Sequence, residues 1–441
     1  MASNDPSDES HLAGSLRGRP RKESTQSPHA RPTAPSAGAS GWRYTFSSLS
    51  NQNFLYLWLG MLAMMGGMQM QMLVRGYLVY DLTDSAALLG IVSASSSLPI
   101  LALALFGGAV ADRLERRRVI QVGQAAAATL ALLVGIAITT DTIIWQHLMA
   151  ASFIQGAAFS FIMPARQAII PQLVGKDKLT NAMALNGAGM SAMTLAAPAV
   201  AGGIYAWAGP DKAYYVISGL QFLAVLLVGL IPKLDGGPVR SKEGITSDIA
   251  AGIRYIMQSH LVLVLLMMGL ITTLLAQPFR FLLPVFVVDL YHRGPDSMGL
   301  LVTVMGAGSL AGSLFIASLG RWRRGLILIL GTAASGVALL LVAVFPFYRA
   351  AIGIMVILGL GDASRRALNQ ALIMEETDSR FQGRVMSVFM MNFGLMPMSV
   401  LPAGIAADLF GAQRAIGTMA VLLLAISAII VVTQRRLRTM P

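Results

Sequence analysis

Arg75 and Arg280 lie well inside long apolar runs, at 54–80 and 260–289. Each has an amide on its own helical face: Gln71 is four residues before Arg75, and Gln277 is three before Arg280. A guanidinium offers a rigid fork of donors to a carboxylate or phosphate, and an amide adds a donor and an acceptor. The four residues are candidates for binding an anionic or acceptor-rich solute. Asp362 is the carboxylate well inside an apolar run, at 348–370, and Arg365 follows it on the same face. A lone buried carboxylate can carry a proton, whereas one beside a guanidinium makes an ion pair. The ion pair is the first reading for Asp362, and proton coupling is the alternative. A third cluster, Asp112-Arg113-Leu114-Glu115-Arg116-Arg117-Arg118, separates two apolar runs, and Arg166 closes a later one.

Covalent and metal chemistry have little to work with. The chain has no Cys, its 5 His residues show no H-x-x-x-H spacing, and it has no Walker-type phosphate loop. No catalytic residue, metal site or cofactor is expected, and the chain does not read as an enzyme.

The elements that would position these residues are membrane spans. Of 441 residues, 55% are hydrophobic and only 12% are charged, with a mean hydropathy of +0.65. A soluble domain carries about 25% charged residues. Apolar runs of membrane length are expected near 54–80, 87–111, 117–140, 143–167, 180–208, 212–232, 260–289, 296–320, 324–345, 348–370, 383–408 and 413–433. The expected fold is therefore an all-α membrane protein of twelve spans, with both termini on one side. Alternate links carry the basic residues, among them Arg113, Arg116, Arg117, Arg118, Lys176, Lys178, Arg321, Arg323, Arg324, Arg435 and Arg436. The opposite links carry only Lys212, Arg293, Arg349 and Arg414. This asymmetry places the first set and both termini in the cytoplasm. It also accounts for the net charge of +12 without nucleic acid.

The domain reading follows. Residues 1–50, rich in Ser, Pro and Arg, make a disordered cytoplasmic tail. Within it, Arg17-Gly18-Arg19-Pro20-Arg21-Lys22 has the look of a short AT-hook core, but a solvated basic tail near anionic headgroups is the simpler reading. Six spans at 51–232 are joined to six at 260–434 by a cytoplasmic linker, 233–259, and residues 435–441 form a second tail. Ile245, Ile249, Ile253 and Ile256 mark an amphipathic helix within the linker. The halves read as repeats: Val79-Tyr80-Asp81-Leu82 recurs as Val287-Val288-Asp289-Leu290. That makes Arg75 and Arg280 occupants of corresponding spans.

Gly108, Asp112, Arg113, Arg116 and Arg117 fit the spacing G-x-x-x-D-R-x-x-R-R, which resembles the loop signature of the major facilitator superfamily. Glu115 stands where that family more often has Gly. Leu78 to Thr83, Pro164-Ala165-Arg166-Gln167-Ala168, Asn181 to Asn186, Gly383 to Ser387 and Ala407-Asp408-Leu409-Phe410-Gly411 resemble the enterobactin-exporter-like branch of its bacterial efflux proteins. The resemblance covers about 53–433. It implies two pseudo-symmetric six-helix bundles around a central cavity that Arg75 and Arg280 would face. It further implies an inner gate in which Asp112, Arg113, Arg116 and Arg117 contact the other bundle, with Arg166 in the same region; a basic loop that only sets topology is the alternative. Ala197-Pro198-Ala199-Val200-Ala201-Gly202-Gly203 resembles a drug-antiporter element, but the residues themselves read as a small-residue face with a kink.

The expected function is secondary active transport of a small amphiphilic solute across the bacterial inner membrane by alternating access. Proton-coupled export of a drug, siderophore or secondary metabolite is the first reading. Import of an anionic metabolite is an alternative, and a non-transporting membrane sensor or partner-binding protein is another. The expected partners are the solute, possible protons and the lipid bilayer, with no nucleic acid and a monomeric chain. Arg75 keeps two readings, since about five residues, or ~8 Å, separate it from the end of its span and it can snorkel to headgroups. The 26 Met residues, six of them between Met61 and Met72, read as packing groups.

Overall fold

The computed structural model describes residues 47–103, 114–232, 253–318, 323–438 and 440. The described chain is built from long helices: α1 (Gln52–Thr83), α2 (Ala86–Leu103), α3 (Arg116–Thr139), α4 (Trp145–Gly175), α5 (Lys178–Ala208), α6 (Pro210–Gly229), α7 (His260–Leu290), α8 (Pro295–Ser318), α9 (Arg324–Val344), α10 (Tyr348–Glu376), α11 (Gln382–Phe410) and α12 (Ala412–Thr433). Among the described residues, eleven of these are long and apolar enough to cross a membrane by length and composition. The remaining one, α10, has 29 residues but carries Arg349, Asp362, Arg365 and Arg366.

Helix ends follow local chemistry. The Asn51 side chain accepts the amides of Asn53 and Phe54 at 3.0 and 3.3 Å and starts α1. Asp84, in the left-handed region at φ 49°, ends it. Between α4 and α5 the helix breaks only at Gly175, whose φ of 70° a residue with a Cβ rarely adopts. The link expected at 168–179 is therefore almost entirely helical. The run expected at 348–370 continues as helix to Glu375 and Glu376, the last residues of α10, and Glu375 pairs with Arg324 at 2.6 Å. Residues 253–258 are helical; the rest of the expected amphipathic linker helix lies outside the described residues.

Packing repeats in part between the halves, with the α3–α6 pair of the first matched by the α9–α12 pair of the second. In the first, α3 lies along α6 and α1 lies against α4–α5 and α6. In the second, α9 lies along α12 and α8 and α9 both lie against α10. Two seams join the halves, α5 on α8 and α2 on α11. Small residues allow close backbone approach there: a Cβ on Gly299 of α8 would stand 2.6 Å from the carbonyl oxygen of Pro198. The Pro198–Gly202 segment thus packs as the small-residue face its sequence suggests.

The core divides unevenly. At the end carrying the Thr83–Ala86 and Leu290–Pro295 links, one hydrophobic cluster draws on both halves, including Val74, Tyr77, Leu89, Phe279, Phe286 and Val400. At the opposite end the halves have separate clusters, one around Phe54, Ile169 and Val228, the other around Val262, Leu372 and Phe389. The molecule is sealed at one end and split at the other.

Polar contacts reinforce the seal. Asp408, at the end of α11, accepts the backbone N–H of Ala86 at 2.7 Å, the N–H of Ala87 at 3.0 Å and the Ser85 hydroxyl at 2.7 Å. A carboxylate of the second half thus satisfies the orphan amides at the start of α2 in the first, where the helix dipole also favours negative charge. Nearby, the Tyr80 hydroxyl donates to Asp289 at 2.5 Å, again across the halves. Loss of such a cap costs about 0.5–2 kcal/mol. Asp408→Ala is expected to shift the sealed-to-unsealed equilibrium by roughly 5- to 30-fold at 1–2 kcal/mol. The measurement is the labelling rate of a single cysteine replacing Ser93, in this Cys-free chain, by an impermeant maleimide added from the sealed side. An unchanged rate would remove Asp408 from the seal.

Candidate functional site

The apolar face of α1 that builds the sealed core also aims Arg75 inward. Arg75 and Arg280 line one cavity, directly beneath the sealed core, with Met72, Val79, Ser93, Pro198 and Phe281. Its empty space, including the open side, is about 520 Å³. Corresponding spans of the two halves thus each bring a guanidinium to a shared chamber.

The two arginines are held differently. Arg75 Nη1 donates to Gln155 Oε1 at 3.1 Å, and Gln155 Nε2 donates to Gln71 Oε1 at 2.5 Å. Gln71 is buried, so it supports Arg75 through Gln155 rather than facing the chamber. Arg75 is therefore anchored by an amide relay from α4, and Gln155 is the functional residue that the sequence reading missed. Its signal was an amide in the middle of an apolar span, the same signal that marked Gln71. The Arg280 guanidinium makes no hydrogen bond or ion pair among the described residues, and it senses the charges of Asp362 and Arg366.

Gln277 does not join Arg280 in that chamber. One turn earlier on α7, it donates from Nε2 to Asp362 Oδ1 at 3.1 Å. Asp362 also takes an ion pair from Arg365 and another from Arg366. Arg365 is fixed in turn by Thr272, its Nη1 donating to the hydroxyl at 2.7 Å. Gln277, Arg365 and Arg366 line a second recess, whose empty space including its open side is about 430 Å³, with Thr273, Asn369 and Asn392. This recess opens towards the split end, between α7, α10 and α11. Asp362 is thus an ion-paired carboxylate held by three residues that line this recess.

Of the expected inner-gate residues, Asp112 and Arg113 lie outside the described residues. Arg116 Nη1 donates to the Ala168 carbonyl at 3.0 Å, and Arg117 donates to the Ile231 carbonyl. Arg166 is buried against Met64, with an Nη1 to Sδ distance of 3.7 Å, and its Nη2 has no partner among the described residues. Arg116 thus reaches α4 and Arg117 the end of α6, while Arg166 turns to α1. The methionines of α1 divide: Met61, Met64, Met65 and Met70 are buried packing groups, while Met72 reaches the chamber. No group of three or more His, Cys, Asp or Glu that could hold a metal ion occurs among the described residues.

The relay makes a prediction. Gln155→Leu strands the buried acceptor of Gln71 and the donor of Arg75, at about 1–3 kcal/mol. The purified variant is expected to melt at lower temperature, while the Gln71→Leu, Gln155→Leu double variant recovers part of that loss. Equal losses in the two variants would mean that the relay is not coupled.

Known proteins with which the chain aligns share this architecture. A family model described as transmembrane secretion effector (MFS_3) matches residues 43–440. The chain is 25% identical over 405 residues to the staphyloferrin A transporter of Staphylococcus aureus, covering 90% of this chain and 97% of the relative. It is 24% identical over 348 residues to macrolide efflux protein A of Streptococcus pyogenes, covering 76% and 85%. It is also 24% identical over 287 residues to the enterobactin exporter EntS of Salmonella choleraesuis, covering 64% and 67%. Among solved structures, a nucleoside transporter NupG variant superposes with a TM-score of 0.73 at 13% identity, over 86% of this chain and 99% of that one. A bacterial homologue of the lysosomal transporter Spinster, solved inward-facing and unoccupied, gives 0.67 at 13% identity, over 90% and 98%. Family and fold are those of transporters. The chain is a multi-pass membrane protein of the major facilitator type and belongs to the transmembrane secretion effector family.

Proposed function

We propose that the protein is a proton-coupled exporter of a small amphiphilic anion, working by alternating access as a monomer in the bacterial inner membrane. The observation that carries this reading is the meeting of Arg75 and Arg280, one from each half, in a single chamber beneath the sealed end. A guanidinium left without a protein partner inside a membrane span is costly and marks a ligand path. Two relatives support export: one is named a macrolide efflux protein and another an enterobactin exporter.

The two bundles are taken as 51–232 and 260–434, rocking about the chamber. The sealed end is placed outside and the split end in the cytoplasm with both termini, on the positive-inside distribution of Lys and Arg. The described conformation is then the inward-open one. In it Arg116, Arg117 and Arg166 bond within the first half, which fits an inner gate that is open. Closing that gate would bring them, with Asp112 and Arg113, against the second half. The three donors around Asp362 support an ion-paired carboxylate over a proton carrier, so the proton route is assigned to no residue here. Import of an anionic metabolite is the second reading, which the same cationic chamber would serve.

Arg280→Ala is expected to abolish transport of the anionic solute while leaving protein levels unchanged. The assay follows solute in cells and in proteoliposomes: efflux-dependent resistance supports export, and pH-dependent accumulation supports import. Full activity of Arg280→Ala would remove the chamber as the binding site. A chain that moves no solute in proteoliposomes, with or without residues 1–50, would favour a sensor.

A further inference from the structure

The ion pairs of Asp362 are not equivalent. Oδ1 is held by Arg365 and by Gln277. Both donors are anchored: the Arg365 side chain is only 7% exposed and is tied to Thr272, and Gln277 is buried. Oδ2 is held by Arg366 alone, whose side chain is 43% exposed and has no other partner among the described residues. Breaking the Arg366 contact therefore leaves Asp362 with two donors and frees one guanidinium. That guanidinium lines the recess on the split side, and Arg280, also unpartnered, lines the chamber beyond. Arg280 lies within the fields of both Asp362 and Arg366. Among the described residues, Arg75 and Arg280 line the chamber and Arg365 and Arg366 line the recess, and Asp362 is the carboxylate paired with the latter two.

We infer that Asp362 is a tethered competitor for the transported anion, occupying Arg366 until a carboxylate- or phosphate-bearing solute takes its place. The solute enters through the recess, accepts from Arg366 and Arg280, and leaves Asp362 on Arg365 and Gln277. The exchange replaces one charge-assisted contact with another of the same kind, so it strands no buried charge. It also keeps binding moderate, and it discriminates against solutes whose oxyanion cannot outbid a positioned carboxylate. This rests on reading the Arg75–Arg280 chamber as an anion site.

The test is calorimetric titration of the purified full-length chain in detergent with citrate and, separately, inorganic phosphate, at constant ionic strength. Asp362→Asn is expected to tighten binding about fivefold, the worth of a partly exposed ion pair. Arg366→Gln is expected to weaken binding, and more so in the Asp362→Asn background than alone. A gain confined to citrate places the solute among carboxylates, one confined to phosphate places it among phosphates, and either supports the exchange. Should Asp362→Asn fail to fold, Arg366→Gln alone decides, and unchanged affinity there overturns the inference. Unchanged or weaker binding in folded Asp362→Asn, with binding still lost in Arg280→Ala, overturns the competitor while leaving the anion site. Absence of anion binding by the unaltered chain overturns both.

Discussion

The structure depends on how a membrane interior tolerates guanidinium groups. An Arg at the centre of a bilayer costs about 2.5–3.5 kcal/mol on insertion scales. This chain keeps Arg75, Arg280, Arg365 and Arg366 in its helices and settles each in a different way. Arg75 leans on an amide relay through Gln155 and Gln71. Arg365 is sunk between Asp362 and Thr272. Arg366 has a single carboxylate and an open recess, and Arg280 has the chamber alone. Of these four, Arg280 has the fewest partners, and it lines the chamber where the two halves meet. A charge that the protein itself does not neutralise is a charge available to a ligand.

The halves must meet there without being fused, and the two ends of the molecule divide that task. The sealed end combines one shared hydrophobic cluster with Asp408 on the start of α2 and Tyr80 on Asp289. The cluster gives strength without direction. The carboxylate contacts fix register, because each must find a particular amide or hydroxyl across the seam. At the split end each half keeps its own core, so separation there exposes the chamber without breaking either half.

Much of this was legible in the sequence, and the limits have physical reasons. The spans could be read because apolar runs of membrane length have few alternatives. Arg75, Arg280 and Asp362 could be read because charge inside such a run is expensive. The Ala407–Gly411 motif was visible as a resemblance, but its purpose was not. Asp408 caps a helix more than three hundred residues earlier, and that distance carries no local signal. Gln277 was assigned to the wrong partner for a similar reason: spacing along α7 shows which face it shares with Arg280, not that α10 brings Asp362 to meet it. Gln155 was passed over because an uncharged amide stands out less than an arginine. The helices run past the apolar stretches that end at 167 and 370, and hydropathy alone does not show this: Arg166 is buried, and Glu375 stays helical at the surface, paired with Arg324. Asp112 and Arg113 lie outside the described residues, so the superfamily loop remains a sequence feature.

The central claim is that an anion in the chamber couples the two halves. Its most direct measurement is the distance between spin labels on Met183→Cys of α5 and Leu314→Cys of α8, both exposed at the split end in different halves. The chain has no Cys, so these labels would be unique. If Arg75 and Arg280 grip one solute from two sides, saturating citrate or phosphate shortens this distance, and Arg280→Ala abolishes the change. A distance distribution unaltered by either anion would contradict the claim.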